Sequence, residues 1–67
     1  MASDVEGVRT RLESIAEELA DLAFDRLRQA VAAGAEKGSD EERLITRARR
    51  SVEKAAVLLG QVDGDAE

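Results

Sequence analysis

The chain has 67 residues and a formal net charge of -5, from 10 Lys and Arg against 15 Asp and Glu. It contains no Cys, His, Trp, Tyr or Pro, and a single Phe. These absences exclude cysteine- or histidine-ligated zinc, iron–sulfur and haem sites, thiol nucleophiles, disulfides and imidazole bases.

Ser3 followed by Glu6 reads as a capping box, so a first helix is predicted over about residues 4–33. Within it Val5, Val8, Leu12, Ile15, Leu19 and Leu22 follow an alternating spacing of three and four, as heptad a and d positions do. The stripe then shifts by one residue and continues through Ala23, Leu27, Ala30 and Val31, with Phe24 widening it. Such a shift fits a nearly straight bundle helix rather than a long supercoil. Gly34 is placed to close the helix in the left-handed conformation, opening a joint over 34–38.

Ser39 with Glu42 forms a second capping box, and Asp40, Glu41 and Glu42 suit the positive end of a helix dipole. The second helix is predicted over about 40–59, with Gly60 as its stop and 61–67 as a flexible acidic tail. Leu44, Ile45, Ala48, Val52, Ala55, Ala56 and Leu59 share its apolar face. The whole is one helical-hairpin domain of the all-α class. No apolar run approaches the roughly 18 residues of a membrane span, and the first residues lack the pattern of a signal peptide. The cytoplasm is the expected location, in keeping with the lack of Cys.

A chain this short is marginal as a monomer. On these boundaries the second helix ends near residues 13–16 of the first, leaving Val5, Val8 and Leu12 without cover. The first helix also carries a stripe too wide for one neighbour. The expectation is an antiparallel hairpin that self-associates into a four-helix bundle. Its dimer interface would be formed by Val5, Val8, Leu12, Ile15, Leu19, Leu22 and Leu27 with Val52 and Leu59. The function expected is non-catalytic: a small homodimer that works through protein–protein contact as adaptor, accessory subunit or regulator, with no cofactor and no metal.

Two alternatives attach to charged residues. Arg43, Arg47, Arg50 and Lys54 form a basic stripe on the second helix, which as a pair of stripes in a dimer would contact phosphate or an acidic partner, nucleic acid included. The carboxylates Glu17, Glu18, Asp21 and Asp25 form the opposite feature on the first helix and read as a solvated acidic face. Arg9 and Arg26 fall on or beside the apolar arc, where a charge calls for a partner. The run from Leu12 to Arg26 resembles the first helix of the all-helical (AroQ-type) chorismate mutases. Arg9, Arg26 and Lys37 stand at separations similar to that family's three cationic positions. The resemblance implies a degenerate relative with an anion site at those residues. The chain departs from the family in lacking room for a third helix and in placing Thr46 and Arg50 where acidic residues stand.

Overall fold

A computed structural model of the protein describes residues 2–34 and 39–65. They form two helices, α1 (Ala2–Ala32) and α2 (Asp40–Asp65), packed side by side as a hairpin. The molecule is a rod whose Cα atoms extend over 53 × 15 × 11 Å.

α1 begins at Ala2, so Ser3 already lies inside the helix; its side chain is outside the described residues. At the other end the Ala33 amide donates to the Gln29 carbonyl at 3.0 Å and the Gly34 amide to the Val31 carbonyl at 3.0 Å. Gly34 has φ +96°, the left-handed turn that glycine adopts without steric cost. Of the joint, residues 35–38 lie outside the described residues. Chain direction is recovered at Ser39, whose Oγ accepts from the Glu42 amide at 3.1 Å. The reciprocal half of the capping box is replaced, because Glu42 Oε2 accepts the Thr46 hydroxyl at 2.8 Å.

Gly60 does not end α2. The helix continues for another turn and more, to Asp65, so the stretch 61–65 read as a tail is helical. A glycine stop needs a positive φ, and Gly34 alone shows one among the described residues. Gly60 is instead a contact position. A Cβ there would stand 3.6 Å from Arg9 Cδ, so the Arg9 stem lies over it. Register and added length together correct the expectation that the second helix ends near residues 13–16 and leaves Val5, Val8 and Leu12 bare: Gly60 comes level with Arg9, beyond Leu12, and the further residues of α2 run on past that point. At about 39 Å, α2 is nearly as long as α1 at about 46 Å. Val5 and Leu12 are half-buried, while Val8 remains 39% exposed.

The seam between the helices follows the heptad spacing. Its more buried positions on α1 are Val5, Arg9, Leu12, Ala16, Leu19, Ala23, Arg26 and Ala30. On α2 they are Ile45, Arg49, Val52, Ala56 and Leu59. Among the described residues only Ala16 (6%) and Ala56 (5%) are buried, and no large side chain is fully enclosed. The interior of the hairpin is therefore two alanines and the inner edges of half-covered leucines and valines.

Candidate interaction face

Two long helices in contact leave two open sides, and here they differ. One side is a groove. Its floor is Arg9, Ala16, Arg49 and Ala56, and its walls are Glu13, Glu17 and Ala20 from α1 with Glu53, Val57 and Gly60 from α2. Arg9 forms ion pairs with Glu6 and, at 3.5 Å, with Glu13. Arg49 Nε is shielded from solvent and lies 3.7 Å from Glu53 Oε2. Each arginine thus keeps its stem on the alanine floor and turns its charge to a carboxylate on its own helix, as a long amphipathic side chain can.

The residue before each floor position lies about 100° back around its helix, on the opposite flank. On α1 these residues are Val8 and Ile15, followed one heptad on by Leu22. On α2 they are Ala48 and Ala55, followed by Val62. Leu44, Ser51 and Leu58 lie further round on the same flank of α2. The half-covered Leu12, Leu19, Val52 and Leu59 form the bottom of this side. It is a continuous apolar face: Ile15 is 43% exposed and Leu58 51%, and Leu22, Leu44 and Val62 are exposed with them. At the loop end it is closed by charge. Arg26 Nε donates to Glu41 Oε2 at 3.1 Å, and its Nη1 donates to Asp25 Oδ2 at 3.2 Å. Gln29 donates to the same Asp25 oxygen at 2.9 Å.

The structure sorts the sequence-derived site residues accordingly. The single stripe read along α1 divides: Val5, Leu12 and Leu19 turn toward α2, whereas Val8, Ile15 and Leu22 turn outward. Leu27 does not belong to that outward set. It lies one heptad beyond Ala20, on the groove side, with Phe24 and Val31 exposed nearby. The Arg28 guanidinium covers Phe24 at 5.5 Å from the ring centre. Val52 and Leu59 are half-buried in the seam.

Arg9 and Arg26 are not brought together. Seventeen residues separate them along α1, about 25 Å, and each is held by its own carboxylates. Lys37 lies outside the described residues. Arg43, Arg47, Arg50 and Lys54 are all exposed on the outer face of α2. Arg43 approaches Asp40 at 3.8 Å, while no carboxylate of the described residues pairs with Arg47, Arg50 or Lys54. On α1, Asp25 is engaged by Arg26, Arg28 and Gln29, while Glu17, Glu18 and Asp21 have no cationic partner among the described residues.

Among the described residues no group of three or more acidic side chains is placed to hold a metal ion. No described helix is long and apolar enough to cross a membrane. Ala16, the most buried position of α1, carries no signal in the sequence beyond its small size, and the groove it floors was not legible there. Comparison with known proteins gives no match to a family model, to a curated protein or to a solved structure.

Proposed function

We propose that the protein is a non-catalytic homodimer, a four-helix bundle made from two hairpins joined through their apolar faces, and that it acts through protein–protein contact as an adaptor, accessory subunit or regulator. The observation that carries this reading is the hairpin's lack of an interior: among the described residues the buried apolar positions are two alanines, while Val8, Ile15, Leu22, Leu44, Leu58 and Val62 lie exposed on one side.

Surface area gives the scale. A folded monomer of 7.2 kDa exposes about 4,100 Å². This hairpin exposes 5072 Å², roughly 950 Å² more than that scaling. A standard stable interface buries about 800 Å² on each partner. The excess, which the 53 × 15 × 11 Å rod shape itself helps to create, is of the same order as the area one partner of such an interface loses. The absence of Cys fits the reducing cytoplasm as the place where this assembly works. The net charge of -5 and the lack of stacking aromatic rings favour carboxylates over nucleic acid as partners for the cations of α2.

Sedimentation equilibrium from 1 to 100 μM tests the reading, those concentrations being of the order at which standard-size interfaces assemble. The expected mass is twice 7.2 kDa, with helical circular dichroism lost on dilution as the dimer dissociates. A folded, compact 7.2 kDa species throughout would overturn it.

A further inference from the structure

We propose that the outer face of α2 is a docking surface for an acidic helical segment of a partner protein, held by Arg43, Arg47, Arg50 and Lys54. This rests on the reading that the protein works through protein–protein contact, but not on the number of its copies. At about 100° per residue the four cations fall within an arc of about 60° on the side of α2 away from the seam. The apolar face given to the homodimer lies about 90° further round, so dimerisation leaves the cations in water.

The first observation is the company these cations keep. In a chain with 15 carboxylate side chains and 10 cations, Arg47, Arg50 and Lys54 have no acidic partner among the described residues. Glu42 is engaged by the Thr46 hydroxyl and Glu53 by Arg49, and of the described carboxylates only Asp40 approaches the stripe, 3.8 Å from Arg43. The nearest helical neighbours of these cations are each other. Arg43 and Arg47, Arg47 and Arg50, and Arg50 and Lys54 stand three or four residues apart, where like charges destabilise a helix. The face therefore carries a repulsion that α2 does not relieve, and an opposed row of carboxylates would relieve it. Local rules of stability are broken in this way where a surface has work to do.

Spacing defines the occupant. The steps along the stripe are four, three and four residues, about 6, 4.5 and 6 Å, and the whole spans about 16 Å. Carboxylates at the same spacing on a second helix meet every cation. An extended chain places side chains of one face about 6.6 Å apart and falls out of step over that length. Duplex DNA carries a charge about every 1.7 Å along its whole length. Beyond the stripe this face shows Asp40 at one end and the uncharged Leu58 and Gln61 at the other, so a long polyanion gains nothing past it. The unpaired carboxylates of α1, Glu17, Glu18 and Asp21, cover only about 6 Å, so a second copy would match one end of the stripe and leave the rest open. Val57, 62% exposed, follows Lys54 by one turn and gives the segment an apolar contact where the cations end.

The test is a nuclear magnetic resonance titration at low salt with a helical peptide bearing Glu at the same spacing and Leu one turn beyond. The peptide should shift the Nε–H signals of Arg43, Arg47 and Arg50 and leave those of Arg9, Arg26 and Arg49 in place, and the shifts should fade as salt is added. Arg47→Gln with Arg50→Gln should weaken binding at least about fivefold. The same variant should melt no lower than the unaltered protein, because it removes like-charge contacts. Arg11→Gln with Arg28→Gln changes the net charge equally but on α1, and should bind within about twofold of the unaltered protein. Equal binding of a peptide with Gln in place of Glu, no shift at any peptide concentration, a DNA duplex that occupies these arginines more tightly than the peptide, or a lower melting temperature of the α2 variant would each overturn the proposal. Sedimentation without peptide reads the homodimer separately. A monomer that binds the peptide keeps the docking surface and loses the homodimer, while a dimer that ignores it loses the docking surface alone.

Discussion

The two open sides of this hairpin are built from the same two helices, yet one is finished and the other is not. On the groove side, alanines and a glycine let the helices approach, and every floor arginine has a carboxylate on its own helix. Over the stretch lined by Ala16, Ala20, Ala56 and Gly60 water meets side chains that are mostly short or charged, and the exposed apolar residues of that side are Val57 on its wall and Phe24, Leu27 and Val31 nearer the loop. On the other side Ile15, Leu22, Leu58 and Val62 stand in water with no such compensation. Apolar area is stabilising only when removed from water, at about 25 cal/mol per Å². Under the proposed dimer the contrast has a simple meaning: the local structure of the hairpin is complete, while part of its hydrophobic stabilisation would come from a second surface.

The largest test of that contrast is to place the same charge on each side. Ile15 and Val57 are both β-branched and both exposed in the hairpin, at 43% and 62%. In the proposed dimer, Ile15→Asp would remove an interface side chain from each copy and bury a carboxylate where the two copies meet. It should weaken the dimer by about 3 kcal/mol or more and lower helicity at micromolar concentration. Val57→Asp lies on the groove rim and should change stability by no more than about 0.5 kcal/mol. Thermal melts followed at 222 nm over a range of concentrations measure both. Equal effects of the two substitutions would erase the distinction between the sides.

The ends of the hairpin sharpen the comparison, because the loop end belongs to both sides. There the turn depends on Gly34 and on the Ser39 hydroxyl accepting the Glu42 amide at 3.1 Å. Ser39→Ala leaves that amide to water and should destabilise the protein by about 1 kcal/mol without altering the slope of stability against concentration. A change in dimer affinity at constant helix stability would show that the cap acts on the face rather than on the turn.

What could be read from the sequence follows the range of each interaction. The two helices, their antiparallel packing, the glycine at the first C-terminus and the serine at the second N-terminus are set by neighbours within about a turn, so period and capping residues reveal them. The division of the α1 stripe was not legible. Val5, Val8, Leu12 and Ile15 have one spacing and one chemistry, and only the rotation imposed by α2 decides that Val5 and Leu12 turn inward while Val8 and Ile15 turn out. Arg9 and Arg26 could be placed at the apolar arc by angle alone. Which carboxylates hold them depends on the register, and that brought Glu41 to Arg26 from fifteen residues away. Leu27 was assigned to the open face because the stripe appeared continuous; one heptad from Ala20, it lies on the groove instead.

Gly60 is the instructive misreading, and it leads to the smallest effect. As a local signal, glycine after a run of apolar residues ends a helix. Here Leu59 and Val62 continue the apolar pattern on either side of it, and packing against the start of α1 overrides the weak local preference. The glycine has helical φ, so its conformational freedom serves no turn and only makes the unfolded chain more disordered. A methyl group at this position would meet Arg9 Cδ at 3.6 Å, an ordinary van der Waals contact. Gly60→Ala should therefore stabilise the protein by about 0.5–1 kcal/mol, read as a rise in the denaturation midpoint with an unchanged dependence on denaturant. Because Gly60 walls the groove, the gain should come with no change in dimer affinity. A loss of stability would mean that the Arg9 stem cannot give way, and that the groove side is packed as tightly as an interior.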